Sequence, residues 1–121
     1  MSKLLMVASL AGLALLQGCA TPVAPLYNWG PYERQVSAHF KGESPESQIQ
    51  ILEQHAVATK SSGKALPPGY MAHLGLLYGK AGRDADFVAA LEEEKRLFPE
   101  SAPYINQLLR RVNQGATHGV K

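Results

Sequence analysis

Cysteine occurs once in these 121 residues, at position 19. A lone thiol excludes an intramolecular disulfide and any zinc cluster built on cysteines. Charged side chains make up only 18% and the formal net charge is +2. That balance is too even for a nucleic-acid footprint or a polybasic membrane patch. Long apolar runs are scarce: the longest covers residues 4–16, short of the roughly 20 residues a spanning helix needs. Motifs for chemistry are also missing. The glycines do not cluster into a phosphate loop, there is no G-x-S-x-G elbow, and no two of His39, His55, His73 and His118 stand four apart on a helix. No metal site, no cofactor and no enzymatic activity are expected. The length suits one domain.

What is present begins with an address. Lys3 precedes the uncharged run 4–16, the size of a signal-peptide core. It leads into Leu16-Gln17-Gly18-Cys19, which resembles a bacterial lipobox. The resemblance implies cleavage after Gly18 and acylation of Cys19, so the only cofactor-like group expected is this covalent lipid. Two or three acyl chains hold a protein on a membrane far more firmly than the marginal grip of one. Residue 20 is Ala rather than the Asp that retains lipoproteins at the inner membrane, so the expected location is the outer membrane, with the domain facing the periplasm. Without Lys3 the mature chain has eleven basic side chains against ten acidic.

Residues 20–26 carry Pro22 and Pro25 and read as an extended tether. Eleven residues, 20–30, reach about 36–40 Å when stretched, which keeps the domain near its membrane. Tyr27, Trp29 and Tyr32 then place three aromatics within six residues. They suit either a lid folded back on the first helices or a docking strip for headgroups or a protein partner, because Trp and Tyr favour half-wet surfaces.

The remainder is punctuated as helices. Gly42, Gly63, Gly82 and Gly115 each follow a helix-like stretch. Pro31, Ser44-Pro45-Glu46, Pro67-Pro68, Asp84 as a cap, and Ser101 mark five starts. Apolar side chains recur at helical spacing, as in Tyr70, Leu74, Leu77, Tyr78 and Ala81. Nothing alternates with period two over a useful length. The expected fold is all-α, about five short helices in antiparallel hairpins. The expected division is a signal peptide at 1–18, a lipidated tether at 19–30, a helical domain at 31–115 and a flexible tail at 116–121.

Leu74, Gly75, Tyr78 and Gly82, followed by a second helix and Pro99, resemble a tetratricopeptide repeat. In that pattern the small residue lets two helices approach, the tyrosine fills the groove and the proline ends the second helix. Phe87 and Glu94 stand where alanines normally let such helices nest. The stretches PPGYMAHLGLLYGKAG and EEEKRLFPES, with Tyr27, Trp29, Gly30, Tyr32 and Glu33, resemble a family of small bacterial lipoproteins of unknown function. That resemblance implies a helical fold, a lipid anchor and a neighbouring gene for a lipoprotein like the curli-secretion channel subunit. It supplies no catalytic residue.

Glu94 falls on or near the apolar stripe of the fourth helix, so a buried carboxylate is expected there. It would need a partner, and Tyr78 or His73 on the preceding helix could provide one. Two hairpins and a last helix make a thin core. An exposed apolar face on the third and fifth helices, together with Tyr27, Trp29 and Tyr32, is therefore expected to meet a protein partner. The expected role is an interaction or assembly module, an accessory subunit of an envelope or lipoprotein-export complex. An envelope enzyme or peptidoglycan-associated activator, and a structural spacer, are the alternatives.

Overall fold

The computed structural model describes residues 1–3 and 22–118. Cys19, most of the expected signal segment and residues 119–121 lie outside them. Among the described residues from 22 on, five helices follow one another: α1 (Tyr32–Phe40), α2 (Pro45–Ser61), α3 (Tyr70–Lys80), α4 (Asp84–Leu97) and α5 (Ala102–His118), with a 3₁₀ turn at Pro99–Ser101. Among the described residues there is no strand, only an isolated parallel bridge between Tyr27 and Ala65. The all-α reading holds.

Three of the helices close in the same way. Gly42, Gly63 and Gly82 have φ of 76°, 69° and 75°. The residue after each glycine donates its N–H five residues back: Glu43 to Ala38 O, Lys64 to Thr59 O and Arg83 to Tyr78 O, at 2.9–3.1 Å. This satisfies carbonyls that a helix end leaves without partners, and only glycine adopts the left-handed turn without strain. Gly115 departs from expectation, because α5 runs through it to His118. A glycine permits the turn without forcing it.

The starts also differ in detail. Ser44 stands at the cap of α2, with Pro45 as its first residue. The Ser44 hydroxyl, however, accepts from no N–H of the helix end and donates instead to Glu46 Oε2 at 2.6 Å, which holds the Glu46 carboxyl below its usual range. Asp84 is the first residue of α4 and Arg83 occupies the cap. Asp84 and Asp86 instead place negative charge in the first turn, where the helix dipole favours it.

α3 is the central helix, packed against α2 on one side and α4 on the other. Tyr70, Leu74 and Leu77 are fully or almost fully buried, as are Leu52 of α2, Leu91 of α4 and Ile105 of α5. Each such aliphatic side chain contributes about 1.5–3 kcal/mol on burial. Only Gly79 and Lys80 of α3 are exposed, so the open face expected on the third helix is not there.

The α3–α4 contact is close because α3 carries glycines. A Cβ on Gly75 would lie 3.3 Å from Ala90 Cβ and from Leu91 Cδ2, and one on Gly79 would lie 3.1 Å from Phe87 Cδ2. Gly79 explains how Phe87 fits where an alanine was expected. The bulk on α4 is matched by an absence on α3.

Candidate functional site

Residues 27–32 form a strap across α2 and α3. Asn28 N donates to Ala65 O at 2.8 Å, and Asn28 Nδ2 donates to Thr59 Oγ1 at 2.9 Å. His55 Nε2 lies 3.0 Å from Asn28 O. A carbonyl can only accept, so the proton sits on Nε2 and Thr59 Oγ1, 3.3 Å away, is a second acceptor beside it. Gly30, at φ 44°, lies against the His55 ring, and an added Cβ would clash with that ring. The position requires glycine for its backbone angle and for the space it leaves.

The three aromatics fare differently. Tyr27 is half-buried, edge-on to Phe98 with ring centres 6.1 Å apart. Tyr32, also half-buried, packs 5.2 Å from Tyr70 and 5.9 Å from His73. Burial, helped by the Glu94 charge, raises the Tyr32 phenol above its usual pKa. Trp29 rests 6.0 Å from Tyr32 yet remains 43% exposed. The strap is thus folded back as a lid, with one large aromatic left at the surface.

Glu94 is 3% exposed and its partners are backbone. Oε1 accepts from Gly69 N at 2.6 Å, and Oε2 accepts from Met71 N at 3.1 Å and Ala72 N at 3.2 Å. The carboxylate of α4 therefore caps the N-terminus of α3, where free N–H groups and the helix dipole both favour a negative charge. Neither expected partner is used. Tyr78 Oη donates to Glu53 Oε1 at 2.7 Å. Arg83 lies over the Tyr78 ring at 4.5 Å and pairs with Glu53 at 3.3 Å. Tyr78 thus fills the space between helices and joins α2 to α3 and α4. His73 sits 5.3 Å from His39, ring to ring, with its Nε2 buried and unpartnered. Burial first, and the neighbouring His39 second, hold the His73 pKa below 6.5.

A groove of about 520 Å³ opens on the other side of the strap. Leu66, Met71, Leu97, Phe98, Tyr27 and Val57 of α2 supply its apolar lining. Lys60, Lys64, Glu93 and Arg96 stand around it. Glu93 and Arg96 are paired by two bonds of 2.6 and 2.7 Å, and this contact lowers the Glu93 pKa. Lys60 and Lys64 make no ion pair among the described residues. Val57 is 67% exposed at the edge. Sequence reasoning missed this groove, and it named His55 and Gly30 without seeing the contact between them.

Among the described residues no group of three or more His, Cys, Asp or Glu could hold a metal ion, and no helix is long and apolar enough to cross a membrane. The sequence pattern of a family described as Domain of unknown function (DUF4810) matches residues 26–108. That match takes in the strap, the groove and most of the five helices. No curated protein and no solved structure matches the chain.

Proposed function

Starting from a chain that belongs to the DUF4810 family, we propose a lipid-anchored envelope protein whose helical domain docks a protein partner. It serves as an accessory subunit of an envelope or lipoprotein-export assembly at the outer membrane. The anchor is acylated Cys19, which follows an uncharged run of signal-peptide length. The observation that carries the docking role is Trp29. It is held on a strap pinned by Asn28 and Gly30, yet it is 43% exposed. A large aromatic fixed in place before binding loses little freedom on contact, and such residues dominate binding energy at interfaces.

The close approach at Gly75 and the buried Tyr78 support reading the α3–α4 hairpin as TPR-like. Hairpins of that kind commonly serve as scaffolds for other proteins. The partner suggested by the sequence resemblance is a lipoprotein like the curli-secretion channel subunit.

The test is a mild crosslink in intact cells expressing the tagged full chain, followed by pull-down and mass spectrometry. One dominant envelope lipoprotein is expected with the wild type, lost with Trp29→Ala while the helical circular dichroism stays unchanged. Recovery of the chain alone, or a partner indifferent to Trp29→Ala, would contradict the docking role. The first outcome would favour a structural spacer.

A further inference from the structure

We infer that the groove between α2 and the end of α4 is a binding site for a single-chain anionic amphiphile, a long-chain fatty acid. The site differs from the Trp29 surface and depends on neither the anchor nor the partner. Three observations converge on it.

The lining is mostly hydrocarbon: Leu66, Met71, Leu97 and Phe98, with Val57 at the edge, leave an open apolar trough of about 520 Å³, within the roughly 300–1,000 Å³ of small-ligand sites. The charge beside it is lopsided. Arg96 is paired with Glu93 through two short bonds and Lys60 also acts on Glu93, but with Lys64 the lining carries three cations against one carboxylate. An apolar tail with one anionic head complements that arrangement, the head between the lysines and the tail along the apolar lining.

The third observation sets an acyl chain against an extended peptide. A peptide in the trough would bring its own N–H and C=O groups over hydrocarbon and would need backbone partners from the wall. Three of those on the lining loop are already taken: Gly63 N donates to Lys60 O, Lys64 N to Thr59 O, and Ala65 O accepts from Asn28 N. A methylene chain makes no such demand.

The test uses the full chain extracted from cells and placed in nanodiscs of uncharged phosphatidylcholine. The probe is palmitate carrying a diazirine in its chain, activated by light, with the label mapped by mass spectrometry. Saturable labelling is expected on the peptides 65–80 and 97–110, which carry Leu66, Met71, Leu97 and Phe98. Palmitate should compete, and hexadecanol should not. Shortening the competitor should weaken it by up to roughly fourfold per methylene. Lys60→Glu with Lys64→Glu should reduce labelling at least tenfold at a temperature where helical circular dichroism shows the variant folded. That check is needed because Lys60 stands in the last turn of α2 and acts on Glu93. Non-saturable labelling, equal competition by hexadecanol, or indifference to the double charge reversal would overturn the inference. So would competition by phosphatidylglycerol in the nanodisc, or by an acidic amphipathic peptide, where palmitate fails.

Discussion

Glu94 supplies in one side chain what the start of α3 lacks. Pro67-Pro68 and the left-handed Gly69 bring the chain to α3 with no side chain of their own to bond its free N–H groups, and the carboxylate 25 residues later accepts from three of them. Glu94→Ala should therefore cost about 2–4 kcal/mol, as loss of a charged cap with several buried donors left bare. Glu94→Gln, which keeps one acceptor, should cost about half as much. Urea unfolding followed by circular dichroism measures both. Gly30→Ala meets two obstacles, a positive φ and the His55 ring, and should cost about 1–3 kcal/mol. Because Trp29 is the only tryptophan, its fluorescence reports strap release directly. A red shift at denaturant concentrations where helicity is intact is the expected result. The buried carboxylate was legible in the sequence, since Glu94 falls on an apolar stripe. Its partner was not, because backbone N–H groups carry no letter. Gly30 was read only as part of a motif, because its need for glycine comes from a ring 25 positions away.

Helix ends were the most legible elements. Gly42, Gly63 and Gly82 each reverse the chain, and each is followed by the same five-back bond. Gly115 reads alike in sequence, but α5 continues through it, since a glycine inside a helix costs only about 1 kcal/mol relative to alanine. Packing between helices was legible in part. Gly75 was expected to bring two helices together, and Ala90 and Leu91 lie against it. Gly79 was not singled out, although it makes room for Phe87. A Cβ at Gly75 would already lie 3.3 Å from Ala90 and Leu91, so Gly75→Val would push branched bulk against α4. It should destabilise the chain by about 1–3 kcal/mol or more, read as a lowered urea midpoint. The same substitution at Gly42, where nothing lies within 4 Å, should act only through its positive φ.

Across the whole molecule, the strap 27–32 was legible as a lid folded back on the helices, whereas the groove was not, because it is built from separate stretches: residue 27, the end of α2, the loop that follows it and the end of α4. The fold also carries a pH dependence. Burial and His39 lower the pKa of His73 in the folded state, so below pH 6.5 the unfolded chain binds more protons at this residue than the folded chain does. Its contribution to stability is full above pH 6.5 and declines as the pH falls from there through the lowered pKa. His73→Phe keeps the ring against Tyr32 and removes the unpartnered nitrogen. It should flatten the slope of thermal stability between pH 6.5 and pH 5 and leave stability near pH 7.5 equal or higher.

The envelope reading rests on Cys19, and one measurement bears on it most directly: the intact mass of the mature protein extracted from membranes of the native host. The account predicts a chain beginning at Cys19 and carrying a diacylglyceryl thioether, with an acylated amino terminus. That places Tyr27, part of the groove lining, within about 30 Å of the bilayer along a stretched tether. A mass corresponding to residues 1–121, or to a cleaved chain with an unmodified Cys19 thiol, would contradict it.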